Sequence, residues 1–196
     1  MVEITAKMVG ELRERTGAGP LDCKRALGES GGDFEKAVEI LRKKGVASAA
    51  KKADRTATEG IIEAYIHTGG RVGVLVKLNC ETDFVAKNDQ FKALAKDIAM
   101  HIAATAPVYV QSSDVPADVV AKEESIAAEQ VAGKPAHAIA AIVKGKMEKY
   151  YASVCLLNQP FVKNPDVTVG ELISSFVAKI GENIHVGGFE RFQINA

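Results

Sequence analysis

The sequence carries no net charge, since its 25 Lys and Arg are balanced by 25 Asp and Glu over 196 residues. Coating nucleic acid requires a cationic field over much of a surface, so that role is excluded as the main business and only a local basic patch stays open. Cysteine is scarce as well. Cys23, Cys80 and Cys155 are odd in number, far apart and free of any C-x-x-C pairing. That excludes a disulfide framework or zinc site and predicts a reducing compartment, the cytosol. The segment Met1 to Lys7 lacks the cationic start and apolar stretch of an export signal, so no export is predicted. Stretches without Asp, Glu, Lys or Arg, such as Ile98 to Ser113, are too short for a membrane span, and His101 and Pro107 interrupt that one. There is no internal repeat and no low-complexity tract. What is present, 47% apolar and 26% charged residues, is the composition of an ordinary globular protein of one or two domains.

Residues 5–44 read as three short helices. Thr5 caps the first, in which Met8, Val9 and Leu12 share a face, and the Gly-rich run from Thr16 to Pro20 ends it. The second starts with Pro20 in its first turn and stops at Gly31-Gly32. Asp33 caps the third, where Phe34, Ala37, Val38 and Leu41 follow helical spacing and Gly45 is expected to close it. Val46 to Thr58, rich in Ala and Lys, has little to bury and reads as a helical or extended linker. Between Arg42 and Arg55, six bases (Arg42, Lys43, Lys44, Lys51, Lys52, Arg55) face one acid, Asp54.

A hairpin follows. Ile62, Ala64 and Ile66 alternate, Thr68-Gly69-Gly70 turns, and Val72, Val74, Val76 and Leu78 alternate again. These positions are expected on the buried face, with Tyr65, His67, Lys77 and Asn79 on the other. A helix over 89–105 carries Phe91, Leu94, Ala95, Ile98 and Ile102 in one stripe. Pro116 to Ala132 and Pro135 to Tyr151 form two helices, forced antiparallel by the short joint Gly133-Lys134. The apolar stripe of the second, from Ile139 to Tyr150, is richer than its thin partner helix can cover, so this hairpin is expected to meet another chain and to belong, with the under-covered sheet, to a dimerisation domain. Thr168-Val169-Gly170-Glu171 has the pattern of a capping box opening a helix that Gly181 ends, and Ile184 to Ile194 reads as a last strand. The fold class is α+β: a three-helix domain with a basic linker over 1–54, then an α+β core over 55–196. That core has a three-stranded antiparallel sheet packed by helices, and a protruding antiparallel helical hairpin over about 113–153.

Chemistry is mostly absent. No G-x-x-x-x-G-K-[ST] and no G-x-G-x-x-G after a strand occurs, so no phosphate cradle and no direct nucleotide binding are predicted. His67, His101, His137 and His185 lie in different elements without metal-ligand spacing, and each reads as a satisfied or surface histidine. A Cys80–His nucleophile has no local signature; Cys80 reads as a small half-buried residue, with its relation to His101 open. No cofactor, metal or catalytic residue is assigned.

The segment from Asn79 to Asn88 stands out. Thr82 can cap a turn of helix, which puts Asp83 and Phe84 at its exposed start. A carboxylate and a large ring side by side on a stiff element can probe a partner's surface. From pattern alone the preferred reading is plainer: Phe84 plugs its own core and Asp83 caps.

Two stretches resemble the signatures of the bacterial translation elongation factor Ts family. They are Leu12-Arg13-Glu14-Arg15-Thr16-Gly17-Ala18-Gly19, continuing to Asp22-Cys23-Lys24-Arg25-Ala26-Leu27, and Leu78 to Lys87 around Thr82-Asp83-Phe84-Val85. The likeness extends through Ile98 to Ala104, Gln159 to Val162 and the last strand. It implies a guanine-nucleotide exchange factor for the GTPase elongation factor Tu, with a ubiquitin-associated-like domain at the start of the chain. It further implies that Thr82, Asp83, Phe84 and Val85 form a wedge between helices of the GTPase, disturbing the site that holds Mg²⁺ and the GDP phosphates, and that Pro20, Leu21, Lys24 and Lys52 also contact the partner.

The chain departs from the family pattern in Pro20 for Met, Lys77 for Glu, and Gly187-Gly188 for a basic pair. It is similar to short members, which implies a homodimer in the cytoplasm, with no required nucleic acid. The runner-up reading is an RNA-binding or ribosome-associated module using residues 42–55, although that segment has no interleaved aromatics for base stacking.

Overall fold

The computed structural model describes residues 3–131, 133 and 135–194, and for residues 136 and 137 the backbone alone. Ala132, Lys134 and the His137 side chain, all named above, lie outside the described residues. The fold is α+β, with eight α-helices among the described residues and a three-stranded sheet in the order β1-β2-β5. The chain divides into two compact units, each built from separated stretches. The first comprises residues 1–62, 77–95 and 171–187, and the second 63–76, 96–170 and 188–196.

In the first unit, α1 (Ala6–Thr16), α2 (Pro20–Glu29) and α3 (Phe34–Ala50) close around Leu12, Cys23, Ala26, Leu27, Ala37 and Leu41. Their limits follow the local chemistry. Thr5 and Asp33 accept the amides of Met8 and Lys36 as N-caps, and Gly17 ends α1 at φ 68°, where only glycine is at ease. Gly45 does not close α3, contrary to expectation. The helix continues through the good helix formers Ala47, Ala49 and Ala50 to Ala50. A Cβ on Gly45 would lie 3.8 Å from the Ser174 carbonyl oxygen, an ordinary contact distance, so the position faces α8 (Val169–Ile180) without requiring a glycine.

In the sheet, β1 (Glu59–Ile66) and β2 (Val72–Cys80) form a hairpin closed by the His67 amide donating to the Val72 carbonyl at 2.8 Å. On the other side of β2, β5 (His185–Gln193) runs antiparallel, and Ile194 just beyond it donates to the Arg71 carbonyl at 2.9 Å. The β2 phase is as read, with Val74, Val76 and Leu78 buried and Val72 half-buried, and Cys80 continues the buried face. In β1 the phase is reversed. Ile62 and Ile66 are 71% and 67% exposed, while Ile61, Glu63 and Tyr65 are half-buried. Apolar residues occupy both phases of this strand, so alternation alone selected the wrong face.

The helix α5 (Asp89–Thr105) buries Phe91, Leu94, Ala95, Ile98, Ala99 and Ile102, the stripe read from the sequence and its neighbour Ala99. In the second unit, α6 (Ala117–Glu129) packs on α7 (Ala136–Val154), with the Lys146 ammonium on Gln130 Oε1 at 2.6 Å. Among the described residues of the pair only Ala127, Val131 and Met147 are buried, and Ile139, Ile142, Val143 and Tyr150 are half-covered. A two-stranded sheet of β3 (Pro160–Phe161) and β4 (Asn164–Thr168) leads into α8 and was not read from the sequence.

Candidate functional site

The central strand β2 delivers its chain end into the segment that stood out. Thr82 is extended at φ −127°, ψ 153°, and its hydroxyl accepts the Val85 amide at 3.4 Å, capping the one-turn helix α4 (Asp83–Lys87). Asn88 ends that turn, and its side-chain oxygen takes the Gln90 amide at 2.8 Å as α5 begins. One turn has an inside and an outside. Ala86 is buried and Val85 half-buried, while Thr82, Asp83 and Phe84 point outward.

Phe84 is 81% exposed, the most exposed of the large apolar side chains described. The plainer reading, a ring plugging its own core, is therefore wrong. The cap comes from Thr82 and not from Asp83, whose carboxylate instead receives the Lys87 ammonium at 2.6 Å. That hydrogen bond holds the Asp83 carboxyl below its ordinary range, and raises Lys87, so both are charged at neutral pH.

The backbone before α4 is tied from a distance. Glu182 Oε2 accepts the amides of Glu81 and Thr82, each at 3.1 Å, and Glu182 Oε1 accepts the Thr82 hydroxyl at 2.6 Å. Glu81 answers by accepting the Asn183 amide at 2.6 Å and pairing with Arg55 at 3.6 Å. Asn183, 6% exposed, donates its side-chain amide to the carbonyls of Ala53 and Arg55 at 3.1 and 2.8 Å. Sequence reading missed Glu182 and Asn183. Gly181 marks a turn there, but no local signal joins it to residues about a hundred positions earlier.

The other residues the resemblance singled out occupy two places. Pro20, Leu21 and Lys24 are exposed on α2, whose opposite face buries Cys23, Ala26 and Leu27; Leu21 is 59% exposed. Lys52 is half-buried beyond α3, its ammonium on the Ser48 hydroxyl at 2.6 Å.

Much of the basic segment is internally matched. Arg42 pairs with Glu171 at 3.4 Å, Lys43 with Glu39 and Lys44 with Glu29 at 2.7 Å each. Together with Arg55 on Glu81, these pairs reduce the field available for a polyanion, which weakens the RNA-binding reading. The thiol reading fares no better. The Cys80 thiol is buried, donates to the Thr82 carbonyl at 3.1 Å, and is pushed up by burial, so the nucleophilic thiolate is disfavoured. His101 is buried with both ring nitrogens engaged: Nδ1 accepts the Val162 amide at 3.2 Å and Nε2 faces Gln159 Oε1 at 2.9 Å. His67 is exposed beside the Tyr65 hydroxyl at 3.0 Å, and His185 is exposed. Among the described residues no group of three or more His, Cys, Asp or Glu is gathered for a metal, and no helix is long and apolar enough to cross a membrane.

Two departures from the family pattern meet in space. A Cβ on Gly187 would run into the Lys77 stem and Asn79 Oδ1. A glycine at 187 on β5 thus leaves room for the lysine at 77 on the central strand β2.

The family model described as Elongation factor TS matches residues 35–196 of the chain. Elongation factor Ts of Carboxydothermus hydrogenoformans is 61% identical over 193 residues, covering 97% of this chain and 89% of the relative. The protein of the same name from Anaeromyxobacter sp. is 59% identical over 194 residues, 98% of this chain and 89% of its own. That from Fervidobacterium nodosum is 57% identical over 195 residues, 98% of this chain and 99% of its own.

Proposed function

This chain belongs to the elongation factor Ts family of translation elongation factors, and from that premise we propose that it is the guanine-nucleotide exchange factor of the GTPase elongation factor Tu. The observation that carries the reading is Phe84, a ring 81% exposed beside an ionised carboxylate at the start of a capped helical turn. Such a ring gains little in the free protein and gains much from a complementary apolar slot. In this reading Thr82, Asp83, Phe84 and Val85 enter between helices of the GTPase and disturb its Mg²⁺ and phosphate site. Asp83 trades Lys87 for donors on the partner. Pro20, Leu21, Lys24 and Lys52 supply further contacts.

The energetics require that division of labour. A factor that prefers the GTPase with its nucleotide contacts broken must weaken nucleotide binding by the same ratio. A weakening of ~10⁴-fold corresponds to ~5.5 kcal/mol of differential binding. Burying one aromatic ring contributes ~1.5–3 kcal/mol, so Phe84 acts together with other contacts. The reading needs no bond made or broken by this chain and no cofactor of its own; Mg²⁺ and nucleotide are the partner's. It acts where translation occurs, in the cytoplasm.

A second copy of this chain is assigned to the outer face of the sheet in the second unit. Ile66, Leu75, Phe192 and Ile194, between 46% and 68% exposed, line a shallow depression of about 380 Å³ together with Arg71 and Gly73. A contiguous apolar face of this kind is unusual on a monomer.

The exchange reading is tested by release of a fluorescent GDP analogue from purified elongation factor Tu. Acceleration by the wild-type chain and its marked loss in Asp83→Ala and Phe84→Ala are expected. Absence of acceleration overturns the function, and acceleration that survives both substitutions overturns the wedge.

A further inference from the structure

Phe84 can act as a wedge only if the turn beneath it keeps its direction under load, and α4 is five residues long. A single helical turn is marginal by itself, so its orientation must come from outside. Three donors on the two residues immediately before α4 converge on the Glu182 carboxylate: the amides of Glu81 and Thr82 and the Thr82 hydroxyl. The hydroxyl has one hydrogen. By giving it to Glu182, Thr82 turns a lone pair toward the Val85 amide, so the same contact sets the rotor that caps α4. Asn183 holds the next link, since its amide meets Glu81 and its side chain fixes the segment Ala53 to Arg55 that follows α3.

We propose that Glu182 is a positioning residue of the exchange reaction, its carboxylate holding Glu81 and Thr82 so that Asp83 and Phe84 are presented in one fixed direction. The proposal rests on the exchange reading above. Positioning lowers the cost of ordering the tip in the complex. Its loss therefore affects what the docked tip does more than whether the chain docks, since Pro20, Leu21 and Lys24 on α2 are untouched.

The experiment measures GDP-analogue release from elongation factor Tu across a range of protein concentrations, with thermal melts of each variant. Misplacement of a working group by about 1 Å can cost ~100-fold. Accordingly Glu182→Ala is expected to lower the maximal release rate ~10-fold or more, with the half-saturating concentration changed less than ~3-fold. Glu182→Gln keeps an oxygen for both amides, and the Thr82 hydroxyl can turn to accept from its NH₂ group, so it is expected within ~3-fold of wild type. Glu182→Asp keeps the charge but is one methylene too short, and is expected to resemble Glu182→Ala. If Glu182→Ala melts below the assay temperature, the contrast between Gln and Asp carries the test.

Wild-type acceleration retained in Glu182→Ala or in Glu182→Asp overturns the positioning role alone. Equal slowing in the Gln and Asp variants, in step with equal losses of melting temperature, also overturns it, because the role is then structural. A wild-type chain that leaves GDP release unchanged overturns the exchange reading, and this proposal with it.

Discussion

Replacing Phe84 with alanine should separate folding from function. In the free protein the ring is 81% exposed, so its removal takes away little packing, and an exposed substitution of this kind falls within about ±0.5 kcal/mol. For a chain of this length 1 kcal/mol moves the melting midpoint by about 2–4 °C, so the expected change is under about 2 °C. In the complex with elongation factor Tu the same ring is proposed to be buried, which contributes ~1.5–3 kcal/mol. At about 1.4 kcal/mol per factor of ten, that is a ~10- to ~150-fold loss in GDP release at subsaturating protein. The assay pairs a thermal melt with stopped-flow release of the labelled nucleotide. A fall of more than about 5 °C in the melt would mean the ring supports the fold. Release within twofold of wild type, with the melt unchanged, would refute the wedge.

Three further outcomes follow from particular residues. Phe192→Glu puts a charge in the apolar depression formed with Ile66, Leu75 and Ile194; light scattering should report a dimer for wild type and a monomer for the variant, and a monomeric wild type contradicts the assignment. Gly60 sits at φ +146°, and a Cβ there would collide with the Leu78 carbonyl and the Asn79 backbone. Gly60→Ala should therefore cost about 1–3 kcal/mol in a urea titration, and an unchanged midpoint would contradict the geometry. Burial holds the His101 imidazole below its ordinary value of 6.5, so the unfolded chain takes up this proton first as the pH falls. Its contribution to stability is complete above about 6.5 and is lost from there down to the folded value. The melting midpoint should fall from pH 7.5 to 5, and His101→Asn should flatten that slope; an identical slope in the variant would exclude His101 as its source.

Where local chemistry decides the conformation, the sequence was readable. The caps at Thr5, Thr82 and Asp33, the αL glycine at 17 and the stripe of α5 follow from side-chain type and spacing alone. Where tertiary packing decides, it was not. β1 has apolar residues in both phases, and which phase is buried depends on what covers the sheet. Gly45 has the form of a helix stop, yet α3 runs on through it to Ala50. The strands β3 and β4 are short, and Asn164, Pro165 and Asp166 carry little strand propensity. At the site, the Thr82 cap was legible, but the preferred fate of Phe84 from pattern alone was the opposite of what the fold presents. The ties from Glu182 and Asn183 cross about a hundred residues of chain, and no periodicity or motif reports contacts of that separation.

Differential binding to the two forms of the GTPase is directly measurable through linkage. Calorimetric titration would compare the affinity of the wild-type chain for elongation factor Tu carrying GDP with its affinity for the nucleotide-free GTPase. Tighter binding to the nucleotide-free form is expected, by the same factor that the chain weakens GDP, on the order of 10⁴. Equal affinity for the two forms would contradict it, because a partner that does not distinguish them cannot move nucleotide off its site.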